Sequence, residues 1–124
     1  MLDTHTLIWF LEGNKKLTSK CKKLIEDDTN NKYVNIATFL EISIKVNLNK
    51  LILTEGYDHF VKTVKDLNFK ILGISLDYTS ILSKLECIHG DPFDRILICQ
   101  AIQEKLTILT KDRYIHQYEV NTYW

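Results

Sequence analysis

Four acidic residues, Asp3, Glu41, Asp94 and Asp112, stand where a chain could gather them for chemistry. Each lies close to the end of a strand-like segment or the start of a helix-like one. In open α/β sheets, ligands bind beyond the carboxyl ends of the strands, so side chains placed there converge. Carboxylates crowded into one cleft repel one another and raise each other's pKa values. A divalent cation removes that cost, and hard oxygen ligands in an incomplete shell suit Mg²⁺ or Mn²⁺. Such a cation keeps waters and takes up phosphate oxygens, so the chemistry expected is phosphoryl chemistry.

Each acid also has a plainer use. Thr38-Phe39-Leu40-Glu41 has the spacing of a capping box, with Glu41 reaching back to the Thr38 N–H. Asp91-Pro92-Phe93-Asp94 reads as a helix start, with Asp91 as N-cap, proline at the first helical position and an acid in the first turn. Acids there complement the helix dipole by ~0.3–1 kcal/mol each. Asp3 can cap the helix that follows it, although Thr4 offers the same group. Asp112 has no comparable local role.

The elements that must position these residues alternate between strand and helix. Met1-Leu2 precedes an amphipathic helix with Leu7, Ile8 and Leu11, stopped by Gly13-Asn14. Thr18 caps a second helix with Cys21, Leu24 and Ile25 on one face. Tyr33 to Ile36 reads as a strand and Thr38 to Leu48 as a helix; Leu51 to Leu53 is ambiguous. Tyr57 to Leu67 is helical by spacing, Phe69 to Leu72 is a strand, and Ser75 caps a helix through Leu85. Asp91-Pro92 opens a helix to Glu104, Leu106 to Leu109 is a strand, and Tyr118 to Tyr123 is a last edge strand. This order predicts an α/β domain with a mainly parallel sheet, occupying residues 1–124 as one unit.

Composition narrows the function. Sixteen Lys and Arg balance sixteen Asp and Glu in 124 residues, which excludes a polybasic nucleic-acid binder while allowing a local basic patch. The odd cysteine count (Cys21, Cys87, Cys99), without CxxC spacing, predicts buried thiols in a reducing compartment rather than disulfides or zinc. No apolar run is long enough for a bilayer span, and no basic leader precedes one. A cytoplasmic protein with no membrane association is expected.

The sequence resembles the PIN-domain family, and within it the VapC-type toxins of type II toxin–antitoxin pairs. Four segments carry the resemblance: Leu2-Asp3-Thr4-His5 with Leu7-Ile8-Trp9; Glu41 to Lys45 leading to Lys50-Leu51; His89-Gly90-Asp91-Pro92-Phe93-Asp94-Arg95 with Leu97-Ile98 and Gln100-Ala101; and Leu109 to Asp112. The resemblance implies a three-layer α/β/α sandwich around a parallel sheet. It also implies a metal-dependent endoribonuclease that hydrolyses phosphodiester bonds by metal-activated water. The family's acidic site falls on Asp3, Glu41, Asp94 and Asp112, as both catalytic residues and ligands of Mg²⁺ or Mn²⁺. Asp91 and Thr110 take supporting roles. A cognate antitoxin whose tail covers the acidic cleft is implied as partner. Two departures stand out. Only two residues precede Asp3, so either the first strand is short or the chain is trimmed ahead of it. Asn49 occupies a position where relatives often carry glycine.

Lys45 lies four residues after Glu41, on the same helix face. It is read as a phosphate contact, against the alternative of an exposed ion pair worth ~0.2–0.5 kcal/mol. Lys50 and Arg95 are further RNA-binding candidates, and Lys111 and Arg113 weaker ones; Arg95 could equally brace the helix start. His5, His59, His89 and His116 lack zinc-site spacing. His5 is expected near Asp3, and the others at the surface or behind the ligands. Leu7, Trp9 and Phe10 offer apolar surface for a homodimer through the N-terminal helices. The competing function is a non-catalytic PIN-like scaffold binding RNA or protein, against which the complete acidic set argues. A receiver-like phospho-acceptor fails because the Phe69–Leu72 strand ends at Gly73.

Overall fold

The computed structural model describes residues 1–124. In chain order the elements are α1 (Thr4–Leu11), α2 (Ser19–Glu26), β1 (Tyr33–Asn35), α3 (Ile36–Asn47), α4 (Tyr57–Asp66), β2 (Lys70–Leu72), α5 (Asp77–Leu82), α6 (Pro92–Glu104), β3 (Ile108–Leu109), a 3-10 turn (Ile115–Gln117) and β4 (Thr122–Tyr123). β1 pairs with β2 and β3 with β4, both in parallel. Leu2 bridges Val34 on one side and Leu109 on the other, again in parallel, so one residue of the first segment joins the two pairs. The sheet order is therefore β2, β1, Leu2, β3, β4. The first strand is thus a single bridging residue.

Alternation along these strands divides the core in two. Leu2, Val34 and Leu109 face a cluster built with Leu7, Ile25, Phe39, Ile42, Phe60 and Val64 from α1 to α4. Their neighbours Met1, Tyr33 and Ile108 face the other side, against Leu97, Ile98, Ala101, Ile115 and Tyr118. A one-residue register slip would exchange these faces, so the period of two fixes the register. The result is a three-layer α/β/α sandwich with a parallel sheet, as expected from the sequence.

Several boundaries differ from the expectation. α3 begins at Ile36, not Thr38, because the Asn35 side chain accepts from the Ala37 N–H at 2.6 Å and acts as N-cap. Thr38 is buried inside the helix, so the Thr38–Glu41 capping box does not form. Leu51 to Leu53 is irregular, and the last strand contracts to Thr122–Tyr123, because Tyr118 directly follows the 3-10 turn. Cys21 and Cys99 are buried as expected, but Cys87 is exposed in the loop after α5. Leu7 is wholly enclosed in the core and Phe10 packs edge-on against Phe69. Leu7 and Phe10 thus spend on the core apolar surface that suggested a dimer, while Trp9 stays half-buried. Exposed apolar side chains recur along α3 and just beyond it, at Ile36, Leu40, Ile44 and Leu48.

Asn49 has a φ of 55°, in the left-handed region, just after α3. The Lys50 and Leu51 N–H groups both donate to the Lys45 carbonyl, closing the helix end. Glycine is the usual residue for such a position, and asparagine is the side-chain-bearing residue that tolerates it best. Asn49 thus takes the left-handed turn itself.

Candidate metal centre

Asp3 follows the bridging Leu2 and caps α1, its Oδ1 accepting from the Thr6 N–H at 2.6 Å. Thr4, the alternative cap, turns elsewhere: its hydroxyl donates to Glu41 Oε2 at 2.5 Å. The first turn of α1 therefore carries one acid of the cluster and holds a second. Asp3 is only 4% exposed, and burial pushes its carboxyl pKa up, opposed by hydrogen bonds from Thr110 and Thr6 and by the charge of His5.

Glu41 lies in the second turn of α3 and is buried. With the capping box absent, its carboxylate is bound by the Thr4 hydroxyl and by Lys45, its i+4 partner. This pair is not the exposed surface bridge weighed from spacing alone, because the acid is buried while the lysine reaches toward solvent.

Asp94 sits in the first turn of α6, which Asp91 caps by accepting from the Phe93 N–H at 2.8 Å. The Asp94 carboxyl is pushed up to about 7. Burial is the largest cause; His89 opposes it, and the charges of Asp91, Asp3 and Glu41 reinforce it. Asp94 is thus the acid that feels Asp91, Asp3 and Glu41 together.

Asp112 lies beyond β3. Its N–H donates to the Thr110 hydroxyl oxygen at 2.9 Å, while Thr110, fully buried, hydrogen-bonds to Asp3. One hydroxyl thus links the two strand-end acids. Asp3 and Asp112 line a cleft of about 300 Å³ with His5, Trp9 and Lys111. His5 lies near Asp3, as expected.

His89 is the residue that spacing missed. Its Nε2 is buried and lies 3.2 Å from Asp94 and 3.5 Å from Asp112. One ligating atom from each of these three residues falls within a sphere of 4.8 Å mutual separation. Without a second histidine at zinc spacing, the sequence places His89 only at the surface or behind the ligands, and the structure sets it against the acids. The remaining candidates are scattered. Lys45 and Lys50 line an adjoining cleft. Arg95 gives its guanidinium to the carbonyls of Glu86 at 2.8 Å and Leu85 at 3.2 Å. It neither pairs with Asp91 nor faces the acids; it clamps the loop that ends in His89.

The donor set suits a hard divalent cation. Asp94 and Asp112 come within 4.8 Å of one another, and Asp3 and Glu41 act on Asp94 through their charge. Lys45 is the one lysine or arginine ion-paired to any of the four, and carboxylate oxygen is the ligand such ions prefer. Buried like charges without a counterion are costly, which the raised Asp94 and Asp3 carboxyls express.

Among curated proteins and among solved structures, none matches the chain. The PIN-domain family model matches residues 1–121, spanning every segment that carries the acids. PIN domains are in general metal-dependent nucleases. The chain belongs to the PIN-domain family.

Proposed function

We propose that this protein is a metal-dependent endoribonuclease of the VapC type, the toxin of a type II toxin–antitoxin pair acting in the cytoplasm. The observation that carries the nuclease reading is the approach of Asp94 and Asp112 to within 4.8 Å of one another beside His89, in a family of metal-dependent nucleases. Asp3, Glu41, Asp94 and Asp112 would hold Mg²⁺, or Mn²⁺, as catalytic ligands. When bound, the cation supplies charge neutralisation at a phosphodiester and activation of water for its hydrolysis.

The chain's own residues do the rest. Thr4 and Lys45 hold the Glu41 carboxylate; Thr110 holds Asp3 and the backbone at Asp112; Asp91 fixes the first turn of α6, which carries Asp94. Lys45 and Lys50 offer positive charge to the RNA backbone, which a protein of zero net charge must concentrate locally. Arg95 acts as a brace for the His89 loop rather than as a contact to RNA. A cognate antitoxin would neutralise the enzyme by covering the acidic cleft. A homodimer would use α3 and its exposed Ile36, Leu40 and Ile44 rather than the N-terminal helix.

Purified protein is incubated with total cellular RNA in Mg²⁺, then in EDTA, beside an Asp94→Asn preparation. Discrete fragments that require metal and vanish in the variant are expected. Absence of cleavage by folded, partner-free protein over a wide range of RNAs would replace the enzyme with a non-catalytic scaffold.

A further inference from the structure

Two clefts meet at the outer side of α1. One holds the strand-end acids Asp3 and Asp112. The other, about 380 Å³, is lined by Lys45, Lys50 and Ile52 among others. His5 and Trp9 belong to both walls and form the divide between them. The Trp9 ring lies 5.7 Å from the His5 ring, tilted by 39°, and 5.7 Å from Trp124, edge-on. Lys16 places its ammonium 5.8 Å from the Trp9 ring centroid. Ile52, beside the divide, is 88% exposed.

A row of rings and one open apolar side chain, flanked by cations and leading to a carboxylate cluster, has a specific chemical complement. We propose that Trp9 is a stacking platform for bases of a single-stranded nucleic acid whose backbone passes Lys50 and Lys45 toward the acidic cleft. Lys50 makes no ion pair within the chain and is available to phosphates, while Lys16, also without an ion pair, must leave the Trp9 ring to reach one. The cleft's own acid, Glu12, is bound by the Thr54 hydroxyl and N–H. A base covering Trp9 and Ile52 gains stacking and removes apolar surface from water, and every base has the face to do so. A duplex keeps its bases stacked internally and cannot use the platform. The inference rests on the nuclease reading for where the strand leads, but its binding step is separable from cleavage.

The chain has two tryptophans, and both stand at this divide, so intrinsic fluorescence reports on it alone. In the Asp94→Asn background, which keeps strands intact, unlabelled single-stranded RNA, single-stranded DNA, duplex RNA and an acidic peptide are each titrated. Saturable quenching by single strands, with duplex RNA silent, is expected. By anisotropy of a labelled single strand, Trp9→Ala is expected to weaken binding roughly ten-fold or more, with Trp9→Phe retaining most of it. Lys50→Ala should weaken binding uniformly and reduce the salt slope by about one.

Binding of single strands without quenching, equal quenching by duplex RNA, or quenching by the acidic peptide alone would each overturn the platform. So would unchanged affinity in a folded Trp9→Ala protein. The two readings fail separately. Quenching by single strands in a protein that cleaves nothing sinks the nuclease and leaves the platform. Cleavage by a Trp9→Ala enzyme at the wild-type kcat/KM sinks the platform and leaves the nuclease.

Discussion

The Nδ1 atom of His89 accepts a hydrogen bond from the Asp91 N–H, 3.0 Å away. In neutral histidine, an acceptor at one nitrogen places the ring hydrogen on the other. Nε2 therefore carries the ring hydrogen and lies 3.2 and 3.5 Å from the Asp94 and Asp112 carboxylates without a hydrogen bond to either. A nitrogen so occupied has no lone pair for a cation. Although its position completes a three-residue cluster with metal-binding side chains, His89 in this tautomer stands beside the carboxylates rather than joining them as a ligand. The Asp91 cap thus has a second consequence, since its backbone sets the histidine tautomer.

His89→Asn is accordingly expected to keep measurable Mg²⁺ or Mn²⁺ binding by calorimetry, with affinity lowered about 10–100-fold, the usual cost of losing a group behind the ligands. Asp94→Asn should abolish the binding signal. If the two variants lose binding equally, His89 is a ligand.

Stability without metal should depend on pH through Asp94. Its native pKa of about 7 lies above the ordinary value of 3.8. Between these values the native state holds a proton that the unfolded chain has released, so the native state loses stability as pH rises. Asp3, also raised by burial, acts in the same direction. In EDTA, Tm should fall from pH 5 to pH 8, with a stability loss on the order of a few kcal/mol. The Asp94→Asn protein should show a flatter profile. A wild-type Tm that rises over this interval would mean that Asp94 is ionised throughout in the native state.

Removing metal should therefore matter most at high pH. Added Mg²⁺ binds the ionised carboxylates and is expected to raise Tm more at pH 8 than at pH 5. Equal increments at both values in thermal melts would show that binding is not linked to these protons.

Asn49 makes a backbone prediction independent of the site. With φ at 55°, Asn49→Gly should be neutral or slightly stabilising, whereas Asn49→Val should cost roughly 1–2 kcal/mol in urea denaturation. Equal stability of the two variants would mean that the turn readjusts.

Behind the sheet edge, Asn35 Nδ2 donates to Gln100 Oε1 at 2.5 Å, and Gln100 Nε2 donates to the Gly73 carbonyl at 3.2 Å and to the Tyr78 hydroxyl at 3.1 Å. Asn35 and Gln100 are both fully enclosed. Gln100→Leu strands several buried polar groups and should cost on the order of 2–3 kcal/mol in chemical denaturation. A near-neutral result would indicate that water enters to replace the amide.

Much of this protein is written locally. The strand–helix alternation, the Thr18 and Asp91 caps and the positions of the four acids follow from side-chain periodicity and short-range hydrogen bonding, which act over a few residues. The α3 start was misread because Asn35 and Thr38 are both competent caps, and propensity does not choose between them. Burial of Asn35 against Gln100, 65 residues away, decided it. The same long-range packing gave Glu41 to Thr4 rather than to a capping box, enclosed Leu7, and turned Arg95 onto loop carbonyls. It also brought His89 to Asp94 and Asp112. Sequence determines which groups are available and which short elements carry them. Tertiary structure decided which groups lose water together, and the raised Asp94 pKa, the histidine tautomer and the aromatic divide at Trp9 all arise from that shared burial.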